Sequence, residues 1–521
     1  MSFETGGANE TQALESLLHF WGISHLRGES GSGQIHIRRI KECSPLNSQY
    51  PTGVQLLIVD SEVMPQFLQS NNIQFWCCDN VQVPVKIDGN AAFTVSINRL
   101  YVLRRPGLVS VERVGGFDLV YRVEGTRTYL AAFDILKLFD STLKESLEDI
   151  PSTAFRIFAH LPFSYSLIPK QARNYLLRRS AKRHTIPQYS RFCLIDGLSY
   201  LFLALLLISS KKIIPTLSFW KDDRKYAFAV THDVESRNGF EKQSLNIRQI
   251  EESLGIKSLW NFPSHRYHIS QDGIREVVQK HIIGVHDTTH DGRLALLEDD
   301  EIIRRLTLCR ERISELSGSQ IAGFRAPLLQ HTQSLLKGVY EAGFTYDSSC
   351  PTWEPVSSLN GKSHGVRTVF PINLDGLTEI PVTLTQDHQM ICLLKTHPEK
   401  CVQQWLAQSN WIKQVGGIVL LLVHPEYSFS EPQYIPLYRI LLSSFASDKT
   451  CWITNTDDLA AWWRVRYESS VKEKNGNIEV EIVDGGSFET DALKIRLFTS
   501  YDDVNGFHSM PREERVSYVA S

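Results

Sequence analysis

The stretch Ala227-Phe-Ala-Val-Thr-His-Asp-Val-Glu235 places a short apolar run directly before two carboxylates. Further short apolar runs follow, and they alternate with helical patterns over Ile274 to Lys280, Glu298 to Ser317 and Thr332 to Ala342. Strands that alternate with helices in this way indicate β/α units around a parallel sheet. We therefore expect an α/β fold in which the two carboxylates stand at the end of a strand.

Two histidines follow about fifty residues later, in Gly284-Val-His-Asp-Thr-Thr-His290. His286 and His290 are four positions apart, so their rings converge only if the segment is helical or tightly turned. Two imidazoles and one carboxylate make a set of three protein ligands, which leaves one position of a tetrahedral divalent ion open for water. Such a set would indicate hydrolysis, although the spacing taken alone is more typical of a pair of surface or hydrogen-bonded core histidines.

Two more segments carry polar side chains at points where functional groups are expected. Ala322-Gly-Phe-Arg-Ala-Pro327 puts an arginine in a proline-stiffened loop, and Ile418-Val-Leu-Leu-Leu-Val-His-Pro425 ends an apolar run with a histidine. Taken singly, Arg325 is more often an ion-pair residue and His424 a satisfied histidine at a strand end. Their occurrence together, in this order, favours catalysis.

With these four segments in order, the region from about Tyr226 to Arg466 resembles the polysaccharide deacetylase family, the fourth carbohydrate esterase family. The resemblance covers less than half of the chain. It implies an incomplete (β/α) barrel whose site lies at the carboxyl ends of the strands. It also implies a metal-dependent hydrolase that removes acetyl groups from an N-acetylated sugar or glycoconjugate.

The resemblance assigns a role to each matching residue. Asp233 would be the general base, and Arg325 would hold its carboxylate. The remaining matches are Glu235, His286 and His290 as metal ligands, with zinc the expected ion, His424 as general acid, and Leu422 as a wall of the acetyl pocket. The chemistry is coherent, because a metal lowers the pKa of bound water towards about 7 and His424 can protonate the leaving amine.

Two departures from the family pattern concern Glu235 and the fourth motif. Glu235 stands where the family usually has aspartate, which is one methylene shorter. The fourth motif, an aspartate close before a tryptophan, is matched only loosely by Asp347 and Trp353, six residues apart. Trp353 is a candidate to contact a sugar face, although tryptophan is more often a core residue. The backbone N–H of Leu328 is expected to face the oxyanion.

Several polar neighbours are expected to support the site from behind its ligands. Asp387 is a candidate to orient His424, although an ordinary loop aspartate is the preferred interpretation. For the others, the best functional interpretation is a hydrogen bond to a metal ligand. They are His232, His265, His268, Asp287 and His388.

Composition is that of a multi-domain globular protein: 521 residues, 42% hydrophobic and 22% charged. A net charge of -3 argues against a general nucleic-acid binder. Nine cysteines, an odd number, fit reduced thiols, and Met1 to Gly22 lacks a basic region before an apolar one. We expect a cytoplasmic protein, whose substrate would then be a small acetylated sugar precursor or a glycoconjugate built on the cytoplasmic side.

Four regions are expected along the chain. They are a mixed α/β domain over 1–140, a helical linker over 141–221, the barrel over 222–466 and a small β appendage over 467–521. The basic stretch Lys170 to Arg183 is expected to be a solvated helix face, with contact to anionic lipid or polymer as the alternative. The apolar run Leu198 to Ile208 is shorter than the about 20 residues that span a bilayer, so we expect it in a core and predict no transmembrane segment.

Other functions of the same region stay open at this point. The metal-water machinery does not specify the leaving group, so an O-acetyl esterase or an amidase acting on a non-sugar amide is a first alternative. A carbohydrate-binding protein built on a catalytically weakened barrel is a second, which would bind saccharide without turnover.

Overall fold

A computed structural model describes residues 1–4, 8–27, 35–43, 45–46, 53–87, 90–159, 170–181, 184–474, 477–482, 492–498 and 517–520. The chain forms two compact units, each built from more than one segment. The first comprises 1–144, 188–223 and 465–521, and the second comprises 145–187 and 224–464.

Strands and helices alternate along much of the chain. The strands are β1 (Ser2–Glu4), β2 (Leu26–Arg27), β3 (Ile35–Ile40), β4 (Val54–Val59), β5 (Gln74–Ile87), β6 (Asn90–Arg104), β7 (Leu108–Ser110), β8 (Arg113–Val114), β9 (Phe117–Asp118), β10 (Val120–Val123), β11 (Thr128–Ala131), β12 (Ile214–Leu217), β13 (Tyr226–Asp233), β14 (Leu259–Phe262), β15 (Ile282–Val285), β16 (Gly323–Phe324), β17 (Tyr346–Asp347), β18 (Ile372–Leu374), β19 (Leu377–Glu379), β20 (Ile418–Leu422), β21 (Cys451–Ile453), β22 (Ser470–Lys474), β23 (Asn477–Ile482), β24 (Ile495–Phe498) and β25 (Ser517–Ala520). The helices are α1 (Ala8–Trp21), α2 (Met64–Ser70), α3 (Ile135–Leu147), α4 (Thr153–Ala159), α5 (Lys170–Ala181), α6 (Tyr189–Phe192), α7 (Leu194–Ser210), α8 (Ser244–Ser253), α9 (Gln271–Val278), α10 (Asp299–Ser317), α11 (Gln333–Glu341), α12 (Pro398–Val415), α13 (Ile435–Ala446) and α14 (Thr456–Glu468).

The first unit is a mixed α/β structure, as predicted for the amino-terminal region. Its largest sheet has the strand order β2-β1-β3-β4-β11-β10-β7, and β5 and β6 form a separate long hairpin. The apolar helix α7 is buried over nearly its whole length, which confirms the expectation that Leu198 to Ile208 packs in a core. Within the part of the chain that the structure describes, every helix is too short or too polar to span a bilayer.

The second unit is built on a sheet with the strand order β18-β19-β17-β16-β15-β14-β13-β20, and β21 also pairs with β13. All of these pairs are parallel except β18 with β19. Strands β13 and β20 are buried at every position, as expected for parallel strands covered by helices. Among the described strands, β19 and β20 do not pair with each other, so the sheet does not close into a full barrel. The predicted incomplete (β/α) barrel is therefore confirmed.

The helices predicted from the sequence are present between these strands. Helix α9 covers most of the predicted segment 274–280, and α10 and α11 match the segments 298–317 and 332–342 to within one residue at each end. Helix α10 stops at Gly318, whose left-handed φ of 71° ends helices without steric cost. Thr332 caps α11 by accepting the backbone N–H of Leu335.

The segments that flank the second unit have definite partners within the first. Strand β23 pairs with β22 and β25, and β24 pairs with β12, so the strands of the predicted carboxyl-terminal β appendage join different sheets. The division of the chain into four domains stays a prediction. The basic stretch forms α5 up to Ala181, while Lys182 and Arg183 also lie outside the described residues.

Candidate functional site

The predicted polar residues of the second unit meet at one edge of its sheet. Asp233 is the last residue of β13, His286 and Arg325 directly follow β15 and β16, and His424 comes two residues after β20. Parallel strands put their carboxyl ends on the same side, which is why segments nearly two hundred residues apart converge here.

Glu235, His286 and His290 offer one ligand atom each, and these atoms all lie within 4.8 Å of one another. The Nε2 atom of His290 is 3.3 Å from Oε1 of Glu235. The Nδ1–H of His286 donates to the carbonyl of Arg325 at 2.9 Å, which leaves the lone pair of Nε2 free. Despite its extra methylene, Glu235 therefore lies beside both histidines.

The three side chains fit a divalent metal ion. The buried Nε2 of His286 has no hydrogen-bond partner among the described residues, and the buried Nε2 of His290 faces the Glu235 carboxylate without a well-formed hydrogen bond. Burial lowers the pKa of His286 to about 4, so the ring is neutral at physiological pH and able to ligate. Although burial acts to raise it, the pKa of Glu235 is held well below its usual range, chiefly by His290. Imidazole nitrogens and a carboxylate oxygen are ligands that zinc accepts.

The segment that carries the two histidines is a tight turn rather than a helix. It leaves β15 after Val285, and both Asp287 and His290 adopt left-handed backbone conformations, with φ of 67° and 58°. This turn brings the two rings together, with centroids 5.0 Å apart. Of the two geometries that the spacing of four allowed, the structure therefore has the turned one.

Asp233 is oriented through one of its two carboxylate oxygens. Oδ1 accepts from Nδ2 of Asn261 at 2.9 Å and from Nη1 of Arg325 at 3.3 Å. Oδ2 faces the histidines, 4.0 Å from Nε2 of His286 and 3.9 Å from Nε2 of His424. Burial acts to raise the pKa of Asp233, but His286, Arg325 and His424 together hold it below its usual value.

A glycine in the neighbouring strand makes room for this arrangement. A Cβ added to Gly284 on β15 would lie 2.1 Å from Oδ1 of Asn261 on β14. Any larger residue at that position would therefore displace the amide that holds Asp233.

Arg325 is fully buried behind Asp233, and its guanidinium donates to residues on β13 and just after β17. Its Nη1 also donates to Oγ1 of Thr231 at 2.8 Å, and its Nε and Nη2 donate to the carbonyl and the hydroxyl of Ser348 at 2.6 and 2.7 Å. Thr231 and Asp233 point to the same face of β13 because side chains alternate along a strand. Arg325 thus holds the base candidate in place without reaching the cavity.

His424 is paired with Asp387, although the sequence favours an ordinary loop aspartate at position 387. Nδ1 of His424 lies 2.7 Å from Oδ1 of Asp387, and the backbone N–H of His424 donates to Oδ2 at 2.9 Å. Burial acts to lower the pKa of His424, but Asp387 and then Glu235 and Asp233 raise it to about 10. The ring is therefore protonated at neutral pH, with Nε2 about 4 Å from both carboxylates.

These side chains border a cavity of about 350 Å³, lined by Leu177, Asp233, Glu235, Ser236, Arg266, His286, His290, Leu328, Leu329, Gln386, His388, His424, Glu426 and Tyr427. Leu328 is among them and has a left-handed φ of 61°. The structure does not bring Leu422 or Trp353 to the cavity. Leu422 is fully buried in β20, and the buried indole of Trp353 donates to the hydroxyl of Ser363 at 2.8 Å.

Two charged residues of the cavity were not predicted from the sequence. Arg266 follows the end of β14, and Glu426 follows His424 in the same loop. Oε1 of Glu426 accepts from the backbone N–H and the hydroxyl of Ser236, both at 2.9 Å, and burial followed by the charge of Glu235 raises its pKa to about 7. The rule that parallel strands end at one edge could have found both, because each lies just beyond a strand.

Of the expected polar neighbours, His388 lines the cavity and the others do not. His232 points to the opposite face of β13, where its Nε2 lies 2.8 Å from Oε1 of Glu251 and its Nδ1 lies 2.7 Å from the carbonyl of Val423. Asp287 is bound by Arg305, and His265 and His268 are exposed.

Asp347, the loose match to the fourth motif, belongs to a second buried group with Cys350 and Glu379. Asp347 and Glu379 face each other in register on β17 and β19. Burial raises the pKa of both carboxyls, and for Glu379 the charge of Asp347 adds to the effect. These effects favour the protonated form of Glu379 within the sheet, and the group does not line the cavity.

Comparisons with known proteins give matches by structure alone. No protein-family model matches the chain, and no curated protein does. Solved structures of polysaccharide deacetylases match about half of it. A protein described as a polysaccharide deacetylase from Mycobacterium smegmatis is 22% identical over 47% of this chain and 92% of its own, with a TM-score of 0.41. Puue allantoinase is 14% identical over 48% and 93%, with a TM-score of 0.38. A family-four pseudoenzyme from Bacillus anthracis is 16% identical over 46% and 66%, with a TM-score of 0.32. Function is therefore inferred from the geometry of the site itself.

Proposed function

We propose that this protein is a metal-dependent hydrolase that removes acetyl groups from an N-acetylated sugar or glycoconjugate. The observation that carries the proposal is that a set of metal ligands and an acid–base pair border the same cavity. Glu235, His286 and His290 present a ligand set with buried imidazole nitrogens. Asp233 and His424 stand beside that set as a carboxylate and a protonated imidazole.

Glu235, His286 and His290 would hold the metal, with zinc proposed because it accepts nitrogen and oxygen ligands in sites with an open position. When bound, such a metal acidifies a water molecule and polarises a carbonyl oxygen. The hydrogen bond from Nδ1–H of His286 to the Arg325 carbonyl fixes the tautomer in which Nε2 can ligate.

Asp233 would take the proton from the attacking water at Oδ2. Arg325 and Asn261 occupy Oδ1, so Oδ2 is the oxygen that faces the two histidines. Holding the carboxylate in a single orientation removes the cost of orienting it during the reaction. The lowered pKa of Asp233 keeps it ionised, and therefore able to accept a proton, at neutral pH.

His424 would donate the proton that the leaving amine needs, from Nε2. Asp387 binds the opposite ring nitrogen and so keeps the ring both charged and oriented.

The backbone N–H of Leu328, in a strained turn at the cavity wall, is the proposed partner of the developing oxyanion. A cytoplasmic location stays a prediction from the sequence.

The proposal is tested by acetate release from a panel of N- and O-acetylated saccharides. Protein stripped of metal would be assayed before and after reloading with zinc or cobalt, beside His286→Ala and Asp233→Asn. Metal-restored release from N-acetylated substrates that both substitutions abolish is the expected result. His268→Ala, which removes an exposed histidine from the same unit, is the matched control and should retain both metal and activity.

Two outcomes would contradict the proposal. Release only from O-acetylated substrates would identify an esterase. Saccharide binding without release, with metal content unchanged in His286→Ala, would identify a binding protein.

A further inference from the structure

The turn between His286 and His290 holds a backbone shape that its residues do not favour. Asp287 and His290 both have positive φ, 67° and 58°, in a region where residues with a Cβ are strained. Such a conformation persists only where surrounding contacts over-determine it. The contacts that hold this turn therefore decide where the two imidazoles point.

Arg305 on α10 makes the strongest of these contacts. Its Nε and Nη2 donate to the two oxygens of Asp287 at 2.7 and 2.6 Å, a bidentate pair. Its Nη1 and Nη2 also donate to the two oxygens of Asp291 at 3.1 and 2.9 Å. The Arg305 side chain is 11% exposed and that of Asp287 is fully buried. One guanidinium therefore bridges two carboxylates that lie four positions apart.

Each bridged carboxylate immediately follows one of the two histidines. Asp287 comes directly after His286, and Asp291 directly after His290. The planar guanidinium offers donors in a fixed fork, so it sets the distance between the two carboxylates as well as their orientation. Fixing residues 287 and 291 fixes the two ends of the segment that carries His290.

Further hydrogen bonds hold the same turn through its backbone carbonyls. The N–H of Ser264 donates to the carbonyl of Asp287 at 2.9 Å, and the N–H of His265 donates to the carbonyl of Thr288 at 2.8 Å. The side-chain amide of Gln330 donates to the carbonyl of Gly292 at 2.8 Å. These bonds anchor individual carbonyls, whereas Arg305 spans the turn.

We infer that Arg305 is a positioning residue that preorganises His286 and His290 for metal binding by clamping Asp287 and Asp291. Arg305 does not line the cavity, so it acts through the turn. The inference rests on the proposed function, because it requires that Glu235, His286 and His290 bind a metal. It extends that function by placing a determinant of metal affinity on a helix outside the cavity.

The experiment measures zinc affinity of the full-length protein by competition with a chromophoric chelator. Arg305→Gln should weaken binding by about 10- to 100-fold, the range typical for partners that orient metal ligands. Arg305→Lys should fall between this variant and the wild type, because a single ammonium cannot bind both carboxylates in the forked geometry. Arg304→Gln removes the adjacent, exposed arginine, which pairs with Glu301, and should leave the affinity unchanged.

Folding is controlled separately, because Arg305→Gln leaves the buried carboxylate of Asp287 without its partner. The double variant Asp287→Asn with Arg305→Gln carries no such charge, and Asp291→Asn removes only the more exposed half of the clamp. Thermal unfolding without metal identifies the variants that fold as the wild type does. Among those, the double variant should show the weakening expected of Arg305→Gln, and Asp291→Asn a smaller one.

Two results would overturn the inference, and they differ from each other. Wild-type zinc affinity in folded Arg305→Gln or in the double variant would refute the clamp and leave the proposed function standing. Failure of the wild type to bind zinc, with His290→Ala behaving identically, would refute the proposed metal site and the clamp with it.

Discussion

Replacing Arg325 by methionine is expected to destabilise the second unit by about 3 to 5 kcal/mol, the cost typical of removing one member of a buried ion pair. Arg325 is fully buried and the side chain of its partner Asp233 is 3% exposed. Methionine keeps much of the apolar stem but none of the donors. The charge of Asp233 would then be left with Asn261 as its remaining bonded side chain.

The magnitude follows from four hydrogen bonds that the substitution removes. Nε and Nη2 serve Ser348, and Nη1 serves Thr231 and Asp233. A hydrogen bond to a charged group contributes about 1.5 to 3 kcal/mol, and a buried polar group left unsatisfied costs about 1 to 3 kcal/mol. The bonds share one side chain and do not add independently, so the range for a broken buried pair is the better guide.

Urea unfolding of wild type, Arg325→Met, Asp233→Asn and the double variant forms a thermodynamic cycle. The double variant should lose less stability than the two single losses add up to, by about 0.5 to 3 kcal/mol, because the stranded charge is gone. Arg304→Met, at an exposed position of α10, is the control and should leave the unfolding midpoint unchanged. A loss below about 1 kcal/mol for Arg325→Met, or strict additivity in the cycle, would refute the assigned pairing.

Three further predictions concern metal, protons and the general acid. Zinc should raise the unfolding temperature of metal-free wild type but not of His290→Ala, as scanning calorimetry would reveal, and an equal rise in both would place the ion elsewhere. Burial lowers the pKa values of His331 and His364 to about 4, so these rings are neutral when folded and the unfolded chain binds more protons between about pH 6.5 and pH 4. Stability should therefore fall as the pH falls through that window, and His331→Gln should flatten the decline in a pH series of urea unfolding, whereas an unchanged slope would show that the ring does not contribute. Asp387→Asn should lower the pKa of His424 and so move the basic limb of the pH profile for acetate release to lower pH. It should also reduce kcat by at least about 10-fold. A basic limb that does not move would be assigned to another group.

Much of the second unit could be predicted from local patterns. The segments predicted as α10 and α11 match the structure closely because helices and strands bury side chains with different periods, which the sequence displays directly. The segments of Asp233, His286, Arg325 and His424 could be placed at one sheet edge because parallel strands end on the same side. This rule needs no knowledge of side-chain contacts.

The contacts between side chains could not be predicted in the same way. The sequence favours a loop aspartate at position 387, yet Asp387 pairs with His424. Trp353 is a candidate for sugar contact, yet its buried indole donates to Ser363. Asp347 pairs with Glu379 across adjacent strands instead of facing the cavity. Each of these outcomes depends on which side chain of a distant segment arrives at a given point.

The alternation of strands and helices, the order of the four polar segments and the residue types available for metal and proton chemistry all follow from the amino-acid sequence. The left-handed turn at Asp287 and His290 after β15, and the contacts by which Arg305 on α10 holds it, follow only from the three-dimensional packing. Period and residue type are local properties of the chain. The pairing of a guanidinium with two carboxylates on another segment depends instead on how a helix packs beside a strand, which no single stretch of sequence encodes.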